Sequence, residues 1–118
     1  MQSTILLVDD TASMRHLLRR AITRGQPDIP ILEAATVQDA LHVLDQHHIT
    51  ALITDYHLPD GEGSSIVQAA RRHDPTMLVF VVSADANVAA HVRALGATAF
   101  FAKPLDMQAL VEAFEQLV

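Results

Sequence analysis

The chain has 118 residues, half of them apolar, with 8 basic and 14 acidic side chains, a net charge of −6 and no cysteine. These figures exclude disulfides and thiolate metal sites. They also run against direct nucleic-acid binding, which normally needs a basic face, and they match one domain with one core, here residues 1–118. No apolar stretch approaches the roughly 20 residues that span a bilayer. The N-terminus lacks a basic segment followed by an apolar core. A soluble cytoplasmic domain with no membrane partner is expected.

Residues 4–8 (TILLV) form a continuous apolar run, the mark of a strand buried on both faces. Residues 11–24 then place Met14, Leu17, Leu18, Ala21 and Ile22 at helical spacing, predicting an amphipathic helix. Gly25, Pro27 and Pro30 break it. A short strand is predicted over 31–34, and a helix over 37–46 with Val37, Ala40, Leu41 and Leu44 inward. Residues 51–54 (ALIT) read as a third strand, followed by the turn formers Pro59-Asp60-Gly61-Glu62-Gly63. A helix over 64–72 leads to the most apolar strand, 78–82 (LVFVV). The fourth helix, 88–95, stops at Gly96, and a fifth strand covers 99–102. The last helix, 106–118, starts at Asp106 as N-cap after Pro104.

Strands alternating with helices predict a doubly wound five-stranded parallel sheet covered on both faces. The flavodoxin-like strand order 2-1-3-4-5 is the natural choice. In a parallel sheet all carboxyl ends share one edge. Asp9 and Asp10 follow strand one, Asp55 strand three, Ser83 strand four and Lys103 strand five. In that order strands one and three are neighbours, roughly 5 Å apart, and the crevice between them is where open α/β sheets bind ligands. Three carboxylates brought there repel unless a cation sits among them. A hard cation such as Mg²⁺ (or Mn²⁺) takes carboxylates, a carbonyl, waters and a phosphate oxygen.

ILLVDD, LITDYHLPDGEG, VVSAD and AFFAKPL, in this order and spacing along the whole chain, resemble the CheY-like receiver domains of response regulators in two-component signalling. The resemblance implies Asp55 as phospho-acceptor, with Asp9, Asp10, Asp55 and the backbone carbonyl of His57 holding the metal. Lys103 matches the lysine that pairs with phosphoryl oxygens, and Ser83 the hydroxyl that bonds to the phosphoryl group. Phe100 matches the aromatic switch position, although Phe100 and Phe101 also read as packing residues alternating across a strand. Lys103-Pro104 matches a peptide bond that is usually cis in the family, and His57 and Asp85 match positions that tune phosphoryl turnover. The resemblance further implies a histidine kinase or phosphotransfer protein as donor and an output protein or domain as reader. It implies a switch that catalyses only its own phosphorylation and dephosphorylation.

Other readings fit less well. A haloacid-dehalogenase-like phosphatase needs an Asp-x-Asp pair, and here Asp9-Asp10 are adjacent. A flavodoxin-like cofactor binder needs a phosphate loop that Asp9-Asp10-Thr11-Ala12 would repel. A receiver that has lost phosphorylation would not need all three aspartates and Lys103. Of the seven histidines, only His57 lies beside the site; the others are expected on the surface. The last helix has no Lys or Arg, against the charge-paired dimer of one transcription-factor subfamily.

Overall fold

The computed structural model describes residues 3–117. The main sheet contains β1 (Ile5–Val8), β2 (Ile31–Ala34), β3 (Ala51–Asp55), β4 (Leu78–Ser83) and β5 (Ala99–Ala102). The helices are α1 (Ala12–Gly25), α2 (Val37–Gln46), α3 (Gly63–His73), α4 (Ala89–Ala94) and α5 (Met107–Leu117). All strand pairings in this sheet are parallel, and the spatial order is β2-β1-β3-β4-β5. This is the order the sequence predicts. The end of the last predicted helix at Val118 lies outside the described residues.

The apolar runs alternate between two faces. Leu6, Val8, Leu52, Val79 and Val81 face a core closed by Ala40 and Leu44 of α2, Ile66, Val67 and Ala70 of α3 and Val92 of α4. Ile5, Leu7, Ile53, Phe80 and Val82 face the other core, closed by Leu18 and Ile22 of α1 and Leu110 and Phe114 of α5. A strand buried on both faces needs apolar residues at every position, which is why β1 reads as an unbroken run. Burial of each such side chain contributes roughly 1.5–3 kcal/mol.

Four details depart from the sequence reading. Leu17, expected inward, is 51% exposed. Helix α1 buries the narrow stripe of Leu18 and Ile22, and a residue one position away points about 100° off it. Residues 57–62 are not simple loop: His57–Leu58 and Gly61–Glu62 pair as a small antiparallel ribbon. The fourth helix begins as a 3-10 turn, Ala86–Val88, before α4 proper. Strands β3 and β4 each run one residue further than predicted and so include Asp55 and Ser83.

The punctuation behaves as expected. Gly96 has φ +111°, the left-handed conformation that glycine tolerates after a helix. The Asp106 carboxylate accepts the Ala109 N–H at 3.1 Å, capping α5. Gly63 is required for another reason: a Cβ there would come within 2.7 Å of the Asp55 carbonyl oxygen. The chain returns from the ribbon directly over the end of β3, and only glycine allows that approach.

Candidate functional site

The parallel strands bring the predicted polar residues to one edge. Carboxylate oxygens of Asp9, Asp10 and Asp55 lie within 4.8 Å of one another, the one grouping of three or more metal-capable side chains among the described residues. Asp9 and Asp55 are buried and Asp10 is exposed. The Lys103 ammonium donates to Asp55 Oδ2 at 3.0 Å. Three carboxylates thus face one ammonium, which leaves excess negative charge. A divalent cation would offset that excess, and an all-oxygen donor set is what a hard cation such as Mg²⁺ takes. Burial pushes the Asp9 carboxyl above its ordinary range; the nearby charges of Asp55 and Asp10 add to this, against the Thr11 N–H bond and the Lys103 charge.

The backbone around the carboxylates is tightly held. The Asp9 N–H donates to the Ala34 carbonyl at 3.1 Å, continuing the β1–β2 ladder. Asp9 Oδ1 accepts the Thr11 N–H at 2.8 Å. Thr11, not Asp10, is the N-cap of α1, so Asp10 is not tied up as a helix cap. The Tyr56 N–H donates to the Val82 carbonyl at 2.9 Å, and the Lys103 N–H donates to the Ser83 carbonyl at 3.0 Å. These two bonds stitch the ends of β3, β4 and β5 into one rim.

Ser83 is fully buried at this rim, and its Oγ accepts the Asp85 N–H at 3.0 Å. Asp85 in turn caps the 3-10 turn through the Asn87 N–H. Phe100 is partly buried and packs on the core under α2, α3 and α4, whereas Phe101 packs on the opposite core against Phe80. The Lys103-Pro104 bond is cis. The His57 side chain is exposed and stands edge-on to the Tyr56 ring, centroids 4.9 Å apart.

The remaining histidines are exposed. His73 nevertheless pairs with Asp45 across α2 and α3 at 3.0 Å, a partner that 28 residues of separation hid from the sequence reading.

Two residues that shape the site carry no local sequence signal. The Asp60 carboxylate accepts the Val37 and Gln38 N–H groups at 2.8 and 3.0 Å, fastening the ribbon segment to the start of α2. Those bonds lower its pKa. Arg15 donates to the Asp9 carbonyl at 2.6 Å and to Glu33 at 2.8 Å. Asp60 sits in a turn-forming stretch and Arg15 on a helix face, and each finds its partner only through tertiary folding.

A doubly wound parallel sheet with a carboxylate cluster and one lysine at its switch point defines a class: an α/β protein with an anionic, cation-accepting site on the carboxyl edge. Comparison with known proteins narrows the class. Residues 5–115 match the family described as response regulator receiver domain, and the chain belongs to that family. It is 33% identical over 109 residues to the response regulator protein PilR of Pseudomonas aeruginosa, a match covering 91% of this chain and 24% of PilR. It is 29% identical over 120 residues to a chemotaxis protein CheY homolog of Campylobacter jejuni, covering 97% of this chain and 91% of the homolog. Among solved structures, a Burkholderia pseudomallei response regulator with a phosphorylated aspartic acid, calcium ion and citrate aligns at TM-score 0.84 and 21% identity. That alignment covers 95% of this chain and 66% of the other.

The chain therefore spans about a quarter of PilR and nearly all of the CheY homolog. As a receiver domain it is a phosphorylation-dependent signalling switch. The haloacid-dehalogenase-like alternative finds no support.

Proposed function

We propose that Asp55 takes a phosphoryl group from the phosphohistidine of a histidine kinase or phosphotransfer protein in a Mg²⁺-dependent reaction. The observation that carries this reading is the convergence of Asp9, Asp10 and Asp55 with the Lys103 ammonium, 3.0 Å from Asp55, at the carboxyl edge of the sheet. The phosphorylated aspartic acid and calcium ion of the Burkholderia relative support it. A carboxylate oxygen of Asp55 attacks phosphorus; the P–O bond forms as the donor's P–N bond breaks, and the bonding pair stays with the histidine nitrogen. Lys103, which already donates to Asp55, then pairs with a phosphoryl oxygen. Asp9, Asp10, Asp55 and the His57 carbonyl would hold Mg²⁺, or Mn²⁺ in its place. When bound, the ion supplies the positive charge that lets three carboxylates and a phosphoryl group share one crevice.

The same site returns the phosphoryl group to water, with the His57 and Asp85 side chains setting the rate. Ser83 Oγ gives up the Asp85 N–H and turns toward the new phosphoryl oxygens. Its movement lets the Phe100 ring settle deeper against the core beside α4. Phe100 has no phenolic hydroxyl to satisfy, so the inward state is already populated and phosphorylation shifts populations. The altered face, α4, β5 and α5, is read by an output protein or an attached output module. The reaction takes place in the cytoplasm.

The test is intact mass after incubation with acetyl phosphate and Mg²⁺. The protein should gain one phosphoryl group, and Asp55→Asn should gain none. Stoichiometric phosphorylation of Asp55→Asn would overturn the assignment.

A further inference from the structure

The backbone that carries Asp9 and Asp10 is held by a side chain that the phosphoryl chemistry does not use. Arg15, on the first turns of α1, donates through Nη1 to the Asp9 carbonyl oxygen at 2.6 Å. That oxygen belongs to the planar peptide unit joining Asp9 to Asp10. Holding it orients the plane from which both carboxylates project. Arg15 is itself braced: its Nε donates to Glu33 Oε1 at 2.8 Å on β2, and its side chain is only 18% exposed. A planar guanidinium serves two acceptors at once, which an ammonium on a flexible stem does poorly.

Arg19 provides an internal contrast. It shares Glu33, through Oε2 at 2.9 Å, but its second bond goes to the Ile31 carbonyl at the start of β2. Arg15 and Arg19 therefore do similar work joining α1 to β2, and only Arg15 touches the peptide between the acidic pair.

We infer that Arg15 is a positioning residue for the metal site, holding the Asp9–Asp10 peptide so that both carboxylates meet one cation, with Glu33 as its brace. The inference rests on the proposed Mg²⁺ site. Mg²⁺ demands near-ideal octahedral geometry, so a loosened ligand pair loses affinity. Simple electrostatics gives the opposite sign. Arg15 is a cation near the site, and removing its charge should tighten cation binding.

The experiment is an Mg²⁺ titration of the full chain at constant ionic strength, followed by amide NMR at Asp9, Asp10 and Thr11, with a melting curve for each variant. Arg15→Met should weaken Mg²⁺ binding about tenfold, the usual effect of removing a group that orients metal ligands. Arg15→Lys should weaken it less and Glu33→Gln less again. Arg19→Met should leave the affinity unchanged while lowering the melting temperature, as any structural role would. If Arg15→Met does not fold, Arg15→Lys and Glu33→Gln carry the test. Unchanged or tightened binding in the folded Arg15 variants, while the parent protein still binds, overturns the positioning role alone. A parent protein with no saturable response, matching Asp10→Asn, overturns the metal site and this role with it.

Discussion

The two edges of the sheet differ in how their polar groups are matched. At the amino edge, each strand end finds a complementary partner. Thr50 Oγ1 accepts the Thr4 N–H and donates to the Thr4 carbonyl at 3.1 and 3.2 Å. Thr98 Oγ1 accepts the Val79 N–H at 2.9 Å. Arg71 spans the end of α3 and the turn after α4, donating to the Gly96 carbonyl at 2.7 Å and the Met77 carbonyl at 2.6 Å. At the carboxyl edge, three carboxylates share one lysine, and a buried one of them has a raised pKa. The molecule gathers three closely spaced carboxylates at one edge and ties the other with hydrogen bonds. The comparison predicts that stability depends more on the hydrogen-bonded edge and ligand response on the carboxylate edge.

Breaking the matched edge should give the largest loss of stability. Arg71→Ala removes a charged donor from the partly buried bonds to the Gly96 and Met77 carbonyls, and the expected cost is about 2–3 kcal/mol. Urea denaturation measures it. Mg²⁺ affinity should not change, and a tenfold change there would mean the two edges are not separable.

The unmatched edge should respond to ligand instead. At about ten times Kd, Mg²⁺ adds roughly 1.4 kcal/mol to the native state and raises Tm by several degrees. Asp10→Asn relieves the repulsion, so it should melt higher than the parent without metal and gain less from it. Differential scanning calorimetry with and without tens of millimolar Mg²⁺ decides. Indifference of the parent protein would remove the contrast between the edges.

Ser83 tests whether the unmatched edge communicates. Ser83→Ala loses one hydrogen bond, a cost of about 1 kcal/mol, and should still accept phosphate on Asp55. Its amide shifts on beryllofluoride treatment should be strongly attenuated from Val88 to Phe101. Full-sized shifts there in the variant would show that the hydroxyl carries no signal. In the parent protein, shifts confined to the loops around Asp10 and Asp55 would leave Phe100 as ordinary core.

The smallest effect concerns acid. Burial pulls the Glu33 carboxyl upward, but the hydrogen bonds and charges of Arg19 and Arg15 outweigh it, and the net pKa is below the ordinary 4.5. A carboxyl with a depressed native pKa contributes stability above its unfolded value and loses it as pH falls through the native one. Glu33→Gln should therefore flatten part of the stability loss that starts near pH 4.5 and continues below it. An identical acid limb in parent and variant would show that the Arg15–Glu33–Arg19 network contributes nothing measurable.

What the sequence determined by itself was the set of short-range features. Unbroken apolar runs at β1 and β4 mark strands buried on both faces, because each residue there must face one of two cores. Gly96 and Asp106 marked helix ends through local backbone and capping chemistry. The aspartates, Ser83 and Lys103 were legible because a parallel sheet delivers every strand's carboxyl end to one edge. Tertiary structure decided what depends on partners far along the chain. Helical spacing alone placed Leu17 inward, but the buried stripe of α1 is set by how closely the sheet and α5 approach, and Leu17 falls outside it. The ribbon at 57–62, the Asp60 cap on α2 and the Arg15 hold on Asp9 likewise join segments whose meeting no local pattern encodes. Local propensity acts over a few residues, whereas these contacts form only after the sheet has brought distant segments within hydrogen-bonding distance.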